Sequence, residues 1–319
     1  MELMRLDAAY KDYLWGGTNL KTKYNKVTDM KIVSESWEVS THKDGSSIIA
    51  SGPNKGVSLR EYVGDNKVEI VGLKASEFPF FPVLIKFIDA KDALSIQVHP
   101  NDEYALKNEN SFGKTEMWYV LDAEEDAFLY YGFNREISKE EMAERIANNS
   151  LLEVLKKVKV KKGDVAFIEA GTIHAIGAGL TICEIQQNSN LTYRVYDYNR
   201  LGVDGKSRPL HVEKSLEVTN LKPSKYGVEN TNLKVEEGYS KGCMASCQYF
   251  TCDLVKIKDS YCEVVDDQTF KTFTCVEGSG TITNGNTSFE FNKGDTFFAP
   301  CNLGEVTMEG KATIIVAYV

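Results

Sequence analysis

The residues able to do chemistry fall in a few short segments. In Leu94-Ser95-Ile96-Gln97-Val98-His99-Pro100, strand alternation sends Ser95, Gln97 and His99 to one face and Leu94, Ile96 and Val98 to the other. An amide oxygen and an imidazole then project side by side in front of an apolar wall. Glu116 opens the next strand-like run, Glu116-Met117-Trp118-Tyr119-Val120-Leu121, and His174 follows Ala170-Gly171-Thr172-Ile173. Gln97, His99, Glu116 and His174 offer two nitrogens and two oxygens converging from three strands. That donor set suits Zn²⁺, with Mn²⁺, Co²⁺ or Fe²⁺ as alternatives, and leaves room for water or substrate. The plain alternative is that each is a hydrogen-bonded structural residue, since no compact H-x-H or H-E-x-x-H motif is present.

Basic residues flank these segments. Lys86 interrupts the apolar run Val83-Leu84-Ile85-Lys86-Phe87-Ile88. A buried lysine is costly unless paired, so an inward Lys86 is a functional candidate. Lys114 immediately precedes the Glu116 strand, where it could equally be a solvated turn residue. Arg194 lies in Leu191-Thr192-Tyr193-Arg194-Val195-Tyr196-Asp197-Tyr198, where the plain reading is an ion pair with Asp197 or Glu184. Together the three cations could bind a phosphate dianion, Arg194 bidentately.

The elements that must position these groups read as short strands. Ile85–Ile88, Leu94–His99, Glu116–Leu121 and Ala127–Tyr131 are apolar or alternating runs between polar turns. No βαβ rhythm is present, so the fold class is mainly β, a barrel or sandwich. One helical insert is expected near 138–158. Ser138-Lys139-Glu140-Glu141 has the form of a capping box, and Met142, Ile146, Leu151 and Leu155 make a helical stripe. Lys156 and Lys157 suit the end of such a helix. Residues near 202–242 read as a connector containing a short helix at about His211–Val218, and a second all-β unit follows at about Ser246–Val319. Lys162-Gly163-Asp164-Val165 recurs loosely as Lys293-Gly294-Asp295-Thr296, a tight turn into a buried strand each time. Only the first copy is followed by a histidine, His174.

The 319 residues allow about two domains. A net charge of −9 and a pI near 5.2 argue against nucleic acid or an anionic membrane as partner, though not against a small anionic substrate. No run approaches the ~18 apolar residues of a membrane helix. Acidic residues in Met1–Asp7 do not fit a signal peptide, so a cytoplasmic location is expected. The seven cysteines include no CxxC pair and read as reduced packing residues.

The LSIQVHP block Leu94–Pro100, the block Gly113-Lys114-Thr115-Glu116-Met117-Trp118, Ala170–Ala175 and Tyr193–Asp197 together resemble type I phosphomannose isomerases, zinc-dependent members of the cupin superfamily. Leu14–Gly17 and Glu35–Ser40 share the resemblance, and the length is similar to that of the short bacterial branch. The resemblance implies two cupin-type β-barrel (jelly-roll) domains: a catalytic metal-binding domain at 1–240 and a metal-free one at 241–319. It places the metal ligands on Gln97, His99, Glu116 and His174, the catalytic arginine on Arg194 and active-site lysines on Lys86 and Lys114. Glu169 stands where similar cupin strands carry a proline before the histidine.

The implied reaction interconverts D-mannose 6-phosphate and D-fructose 6-phosphate by proton transfer through a cis-enediolate. It needs a cation for the developing oxyanion, a base and a phosphate anchor. Arg194, Lys86 and Lys114 are candidates for the cationic roles, and Glu184 and Asp197 for the base. Trp37 and Glu38 read more readily as a packed strand pair than as part of the entrance. The expected partner is a small phosphosugar and the expected assembly a monomer or homodimer. The rival readings are an Fe²⁺ cupin oxygenase, which would usually show an H-x-H pair, and a non-catalytic sugar-phosphate sensor.

Overall fold

The structure is a computed structural model describing residues 1–202 and 205–319; residues 203 and 204 of the expected connector lie outside it. Its strands form three sheets, and every named pairing is antiparallel. One sheet runs in spatial order Val228–Asn230, Asp164–Ile168, Glu116–Ala123, Leu180–Gln187, Val83–Ala90, Glu35–Val39 and Ala9–Lys11. A second runs Tyr193–Tyr196, Ile96–Val98, His174–Ile176, Phe128–Phe133 and Leu155–Lys159. The two pack together through one core that includes Ile88, Trp118, Val120 and Ile182 from the first and Leu129, Tyr131 and Ile176 from the second.

Burial explains the sequence of the central strands. Val83–Ala90 and Leu180–Gln187 are buried at every position, polar residues such as Lys86, Glu184 and Gln186 included. Ile96–Val98 is covered on one face only. Ile96 and Val98 join a core with Met142, Ile146 and Tyr193, leaving Gln97 on the opposite face as alternation predicts.

The third sheet joins the two ends of the chain. Its inner core is built from Val255, Phe273, Phe291, Phe297, Val306 and Ile314. Met4–Asp7 pairs with Thr296–Ala299, with Met4 opposite Phe298 and Leu6 opposite Thr296. A further core places Val83, Phe87, Met117 and Ile185 together with Phe250, Leu254, Phe270 and Phe298. The C-terminal strands are therefore packed against the back of the sheet that carries Lys86 and Glu116.

The helical insert is shorter than its apolar stripe suggests. The helix spans Lys139–Ala147, with the Ser138 hydroxyl accepting from the Glu141 N–H at 3.1 Å. The Glu141 carboxylate turns to Arg135 and Arg145 instead of closing the box. Asn149 adopts φ +62° and ends the helix. After a 3₁₀ turn at Leu151–Val154, the chain becomes a strand, Leu155–Lys159, paired with Phe128–Phe133. Lys156 and Lys157 thus lie on that strand and not at a helix end. The second expected helix is found at Val212–Val218. Strands begin earlier than the expected connector end, at Val228 and Tyr239.

The two Gly-Asp turns are geometric copies. Gly163 and Gly294 adopt φ +95° and +97°. Asp164 and Asp295 each accept a backbone N–H from three residues earlier, at 2.9 and 2.8 Å. All seven cysteines are free thiols. Among the described residues, no helix is long and apolar enough to cross a membrane.

Candidate active site

His174 sits directly opposite Gln97 in the strand register, and Glu116 begins the strand that pairs with Asp164–Ile168. This brings one ligand atom each of His99, Glu116 and His174 within 4.8 Å of one another, all three residues buried. The imidazoles are held by main-chain oxygens: His99 Nδ1 donates to Leu191 O and His174 Nδ1 to Thr172 O, both at 2.8 Å. Those bonds fix the tautomer that leaves each Nε2 as a lone pair facing inward. His174 Nε2 lies 3.1 Å and His99 Nε2 3.8 Å from Glu116 Oε1. That oxygen is buried and accepts no hydrogen bond. The Gln97 amide nitrogen is 3.3 Å from His174 Nε2, and a half-turn of the amide would present its oxygen to the same place. Two lone pairs, a bare carboxylate oxygen and an amide oxygen form a fitting cradle for a divalent cation. The turn before His174 is kept despite Glu169: Gly171 takes φ +88° and its N–H donates to His99 O at 2.7 Å.

Lys114 and Lys86 stand in one buried ladder of alternating charge. Lys114 donates to Glu116 Oε2, lies 3.2 Å from His99 Nε2 and 3.5 Å from Glu184. Lys86 lies 3.2 Å from Glu184 and 3.7 Å from Glu35. Trp118 Nε1 and Trp37 Nε1 donate to Glu184 and Glu35 at 2.9 and 2.7 Å. Burial pushes the Glu116 carboxyl up, but Lys114, His99 and His174 outweigh it and hold it well below the usual range. Burial and Lys114 push His99 well below the usual imidazole range, which suits a neutral ligand. Burial would lower Lys86, yet Glu35 and Glu184 outweigh that and raise it. Burial raises Glu184, whose buried Oε2 faces Lys86 Nζ at 3.2 Å while Oε1 accepts from Trp118.

A cavity of about 290 Å³ opens over this ladder. Gln97, Lys114, Glu184, Lys86 and Glu35 line it together with Arg194 and Arg208. Arg194 pairs with neither Asp197 nor Glu184. Its Nη1 donates to Pro209 O at 3.0 Å, and its buried Nε has no partner among the described residues. Burial, then Arg208, lower its pKa. Asp197 is no base: both its oxygens accept from Arg200 and Arg208. Glu38 pairs with Lys26 at 2.7 Å and Trp37 is fully buried, so both belong to packing. Sequence reasoning missed Glu35 and Arg208. Alternation from Trp37 would have flagged Glu35, whereas Arg208 sits in a polar connector with no signal of its own.

An antiparallel β fold of three sheets with two imidazoles and a carboxylate buried beside a charged cavity defines a cupin equipped to hold a metal ion. Residues 3–129 match the model of the phosphomannose isomerase type I catalytic domain, and residues 241–319 that of the mannose-6-phosphate isomerase cupin domain. Mannose-6-phosphate isomerase ManA of Bacillus subtilis is 36% identical over 97% of this chain and 96% of its own length. The mannose-6-phosphate isomerase of Streptococcus mutans is 35% identical over 96% and 94%. The crystal structure of the mannose 6-phosphate isomerase from Bacillus subtilis superposes with a TM-score of 0.92 at 32% identity, covering all of both chains. The chain belongs to the type I mannose-6-phosphate isomerase family.

Proposed function

We propose that this site interconverts D-mannose 6-phosphate and D-fructose 6-phosphate, with Gln97, His99, Glu116 and His174 holding one Zn²⁺, for which Mn²⁺ or Co²⁺ can substitute. The observation that carries the reading is the buried, bare Glu116 Oε1 facing the lone pair of His174 Nε2, next to Gln97 and Lys114, which line a charged cavity. The ion would supply Lewis-acid stabilisation of negative charge on a sugar oxygen. The remaining work belongs to the chain. Glu184, which lines the cavity with its Oε2 paired to Lys86 Nζ at 3.2 Å, takes the C2 proton of the aldose and returns it to C1. The hydroxyl proton at O2 passes to O1 in the same exchange. Lys86, kept cationic by Glu35 and Glu184, and Lys114 stabilise the enediolate from below. Arg194 does so from the wall and orients the sugar.

The test is a coupled isomerase assay on mannose 6-phosphate with as-purified, chelator-treated and zinc-resupplied protein. Activity lost on chelation and regained with zinc is expected. Metal-loaded protein without turnover would overturn the reading.

A further inference from the structure

The cations at the floor of the cavity are already engaged: Lys86 with Glu35 and Glu184, Lys114 with Glu116 and Glu184. A phosphate dianion there would meet three carboxylates. The wall has a different character. Arg208 donates from Nε to Asp197 Oδ2 and from Nη2 to Oδ1, each at 2.8 Å. Arg200 donates to the same Oδ1 from Nε and Nη2, at 3.1 and 2.6 Å, and is anchored by Nη1 to Ala93 O at 2.6 Å. The Asp197 side chain is only 6% exposed, whereas that of Arg208 is 37% exposed. The acids Asp12 and Asp92 line the adjoining hollow and not this cavity.

Asp197 thus occupies one edge of the Arg208 guanidinium. Among the described residues, the Nη1 hydrogens and one Nη2 hydrogen of Arg208 meet no acceptor, and Arg208 lines the cavity together with Arg194, whose Nε is unpartnered there. A planar donor held at one edge and open at the other matches a phosphate. We infer that the phosphate of the substrate is bound by Arg208, with Arg194 on its sugar side, and that Asp197 is the positioning residue that sets the Arg208 guanidinium. This rests on the phosphosugar reading above.

The experiment measures KM and kcat for mannose 6-phosphate, competitive inhibition by inorganic phosphate, and metal content. It compares wild type with Arg208→Gln, Arg208→Lys, Asp197→Asn and the Arg208→Gln/Asp197→Asn double variant. Arg208→Gln is expected to raise KM about tenfold to a hundredfold and to weaken phosphate inhibition to match. The change in kcat should be smaller and the metal content unchanged. Arg208→Lys should recover part of the loss. Asp197→Asn should move KM the same way but less, and add nothing in the double variant. Wild-type KM and phosphate inhibition in Arg208→Gln overturn the assignment. If that variant does not fold, the same result in Arg208→Lys does so. An additive double variant removes the positioning role of Asp197. Absence of wild-type turnover would overturn the isomerase reading instead. Direct phosphate titration of wild type against Arg208→Gln, or Arg208→Lys if needed, would then still decide the anion site.

Discussion

His174 Nε2 and Glu116 Oε1 stand 3.1 Å apart, and in the neutral tautomer that the Thr172 bond selects neither has a hydrogen to give the other. The His174 proton is committed at Nδ1 to Thr172 O. Two electron-rich atoms this close in a dry interior require a positive charge between them. Lys114 satisfies only the other oxygen of Glu116. His174→Ala is expected to lose bound metal and activity together, with metal content read by elemental analysis. Stoichiometric metal in the variant would remove His174 from the ligand set. Chelation of wild-type protein should lower its Tm, because an ion bound only to the folded state stabilises it by mass action.

Lys86 is the shared partner of two buried carboxylates, Glu35 and Glu184. Lys86→Met should keep the packing volume but strand both. Removing one member of a buried ion pair typically costs about 3–5 kcal/mol. A Tm drop of several degrees, partly reversed by adding Glu35→Gln, is the expected result of thermal melts. An unchanged Tm would show that Lys86 is not needed to neutralise the pair.

The sequence carries the centre of this site because period-2 alternation is a local rule. Gln97 and His99 share a face on spacing alone, and Lys86 stands out as a charge in an apolar run. What it does not carry is partner choice across the sheet. Glu184 lies opposite both Lys86 and Trp118 in the strand registers, and those registers are long-range facts. The insert shows the same limit. Its stripe from Met142 to Leu155 buries the same side chains whether the chain is helix or strand, so periodicity could not see the break that Asn149 makes. Arg208 became visible only when Asp197 supplied its partner.

The C-terminal unit reaches the site loop through one hydroxyl. Tyr249 donates to Asp102 Oδ2 at 2.6 Å, while Asp102 Oδ1 accepts from the Gly113 N–H and from Gln187 Nε2. Gln187 Oε1 in turn accepts from the Thr115 N–H, between Lys114 and Glu116. Tyr249→Phe should cost about 1 kcal/mol of stability. Asp102→Ala should cost more and lower kcat, since it frees the segment that aims Lys114. Urea melts and steady-state kinetics check both; equal effects of the two variants would argue against a relay through Asp102.

The paired glycine turns make a controlled comparison. Gly163 and Gly294 share the left-handed conformation, so alanine strains both by a similar amount, roughly 1 kcal/mol. Their surroundings differ. A Cβ on Gly163 would meet nothing nearer than 4.0 Å, whereas one on Gly294 would lie 2.0 Å from Tyr24 O. Gly294→Ala should therefore be clearly the more destabilising in thermal melts. It should also disturb the seam where Lys26 donates to Gly294 O and pairs with Glu38. Equal losses would mean that the seam yields without cost.

His211 links acid stability to the arginine wall. Its Nδ1 accepts the Arg194 N–H at 3.1 Å, and its own N–H donates to Arg194 O at 2.8 Å. Burial, then Arg194 and Lys214, lower its pKa below the usual imidazole value. The unfolded chain therefore takes up this proton more readily than the folded one. The contribution is fully present above the free imidazole value of about 6.5 and is lost as pH falls from there through the folded pKa. Protonation also removes the lone pair that holds the Arg194 backbone. Stability is the proper readout, because a substrate phosphate itself changes charge near pH 6. Tm measured from pH 7.5 to 5 should fall less steeply in His211→Gln than in wild type. His42, also lowered by burial, supplies part of the remaining slope in both proteins. A parallel pair of curves would show that the His211–Arg194 bond survives protonation.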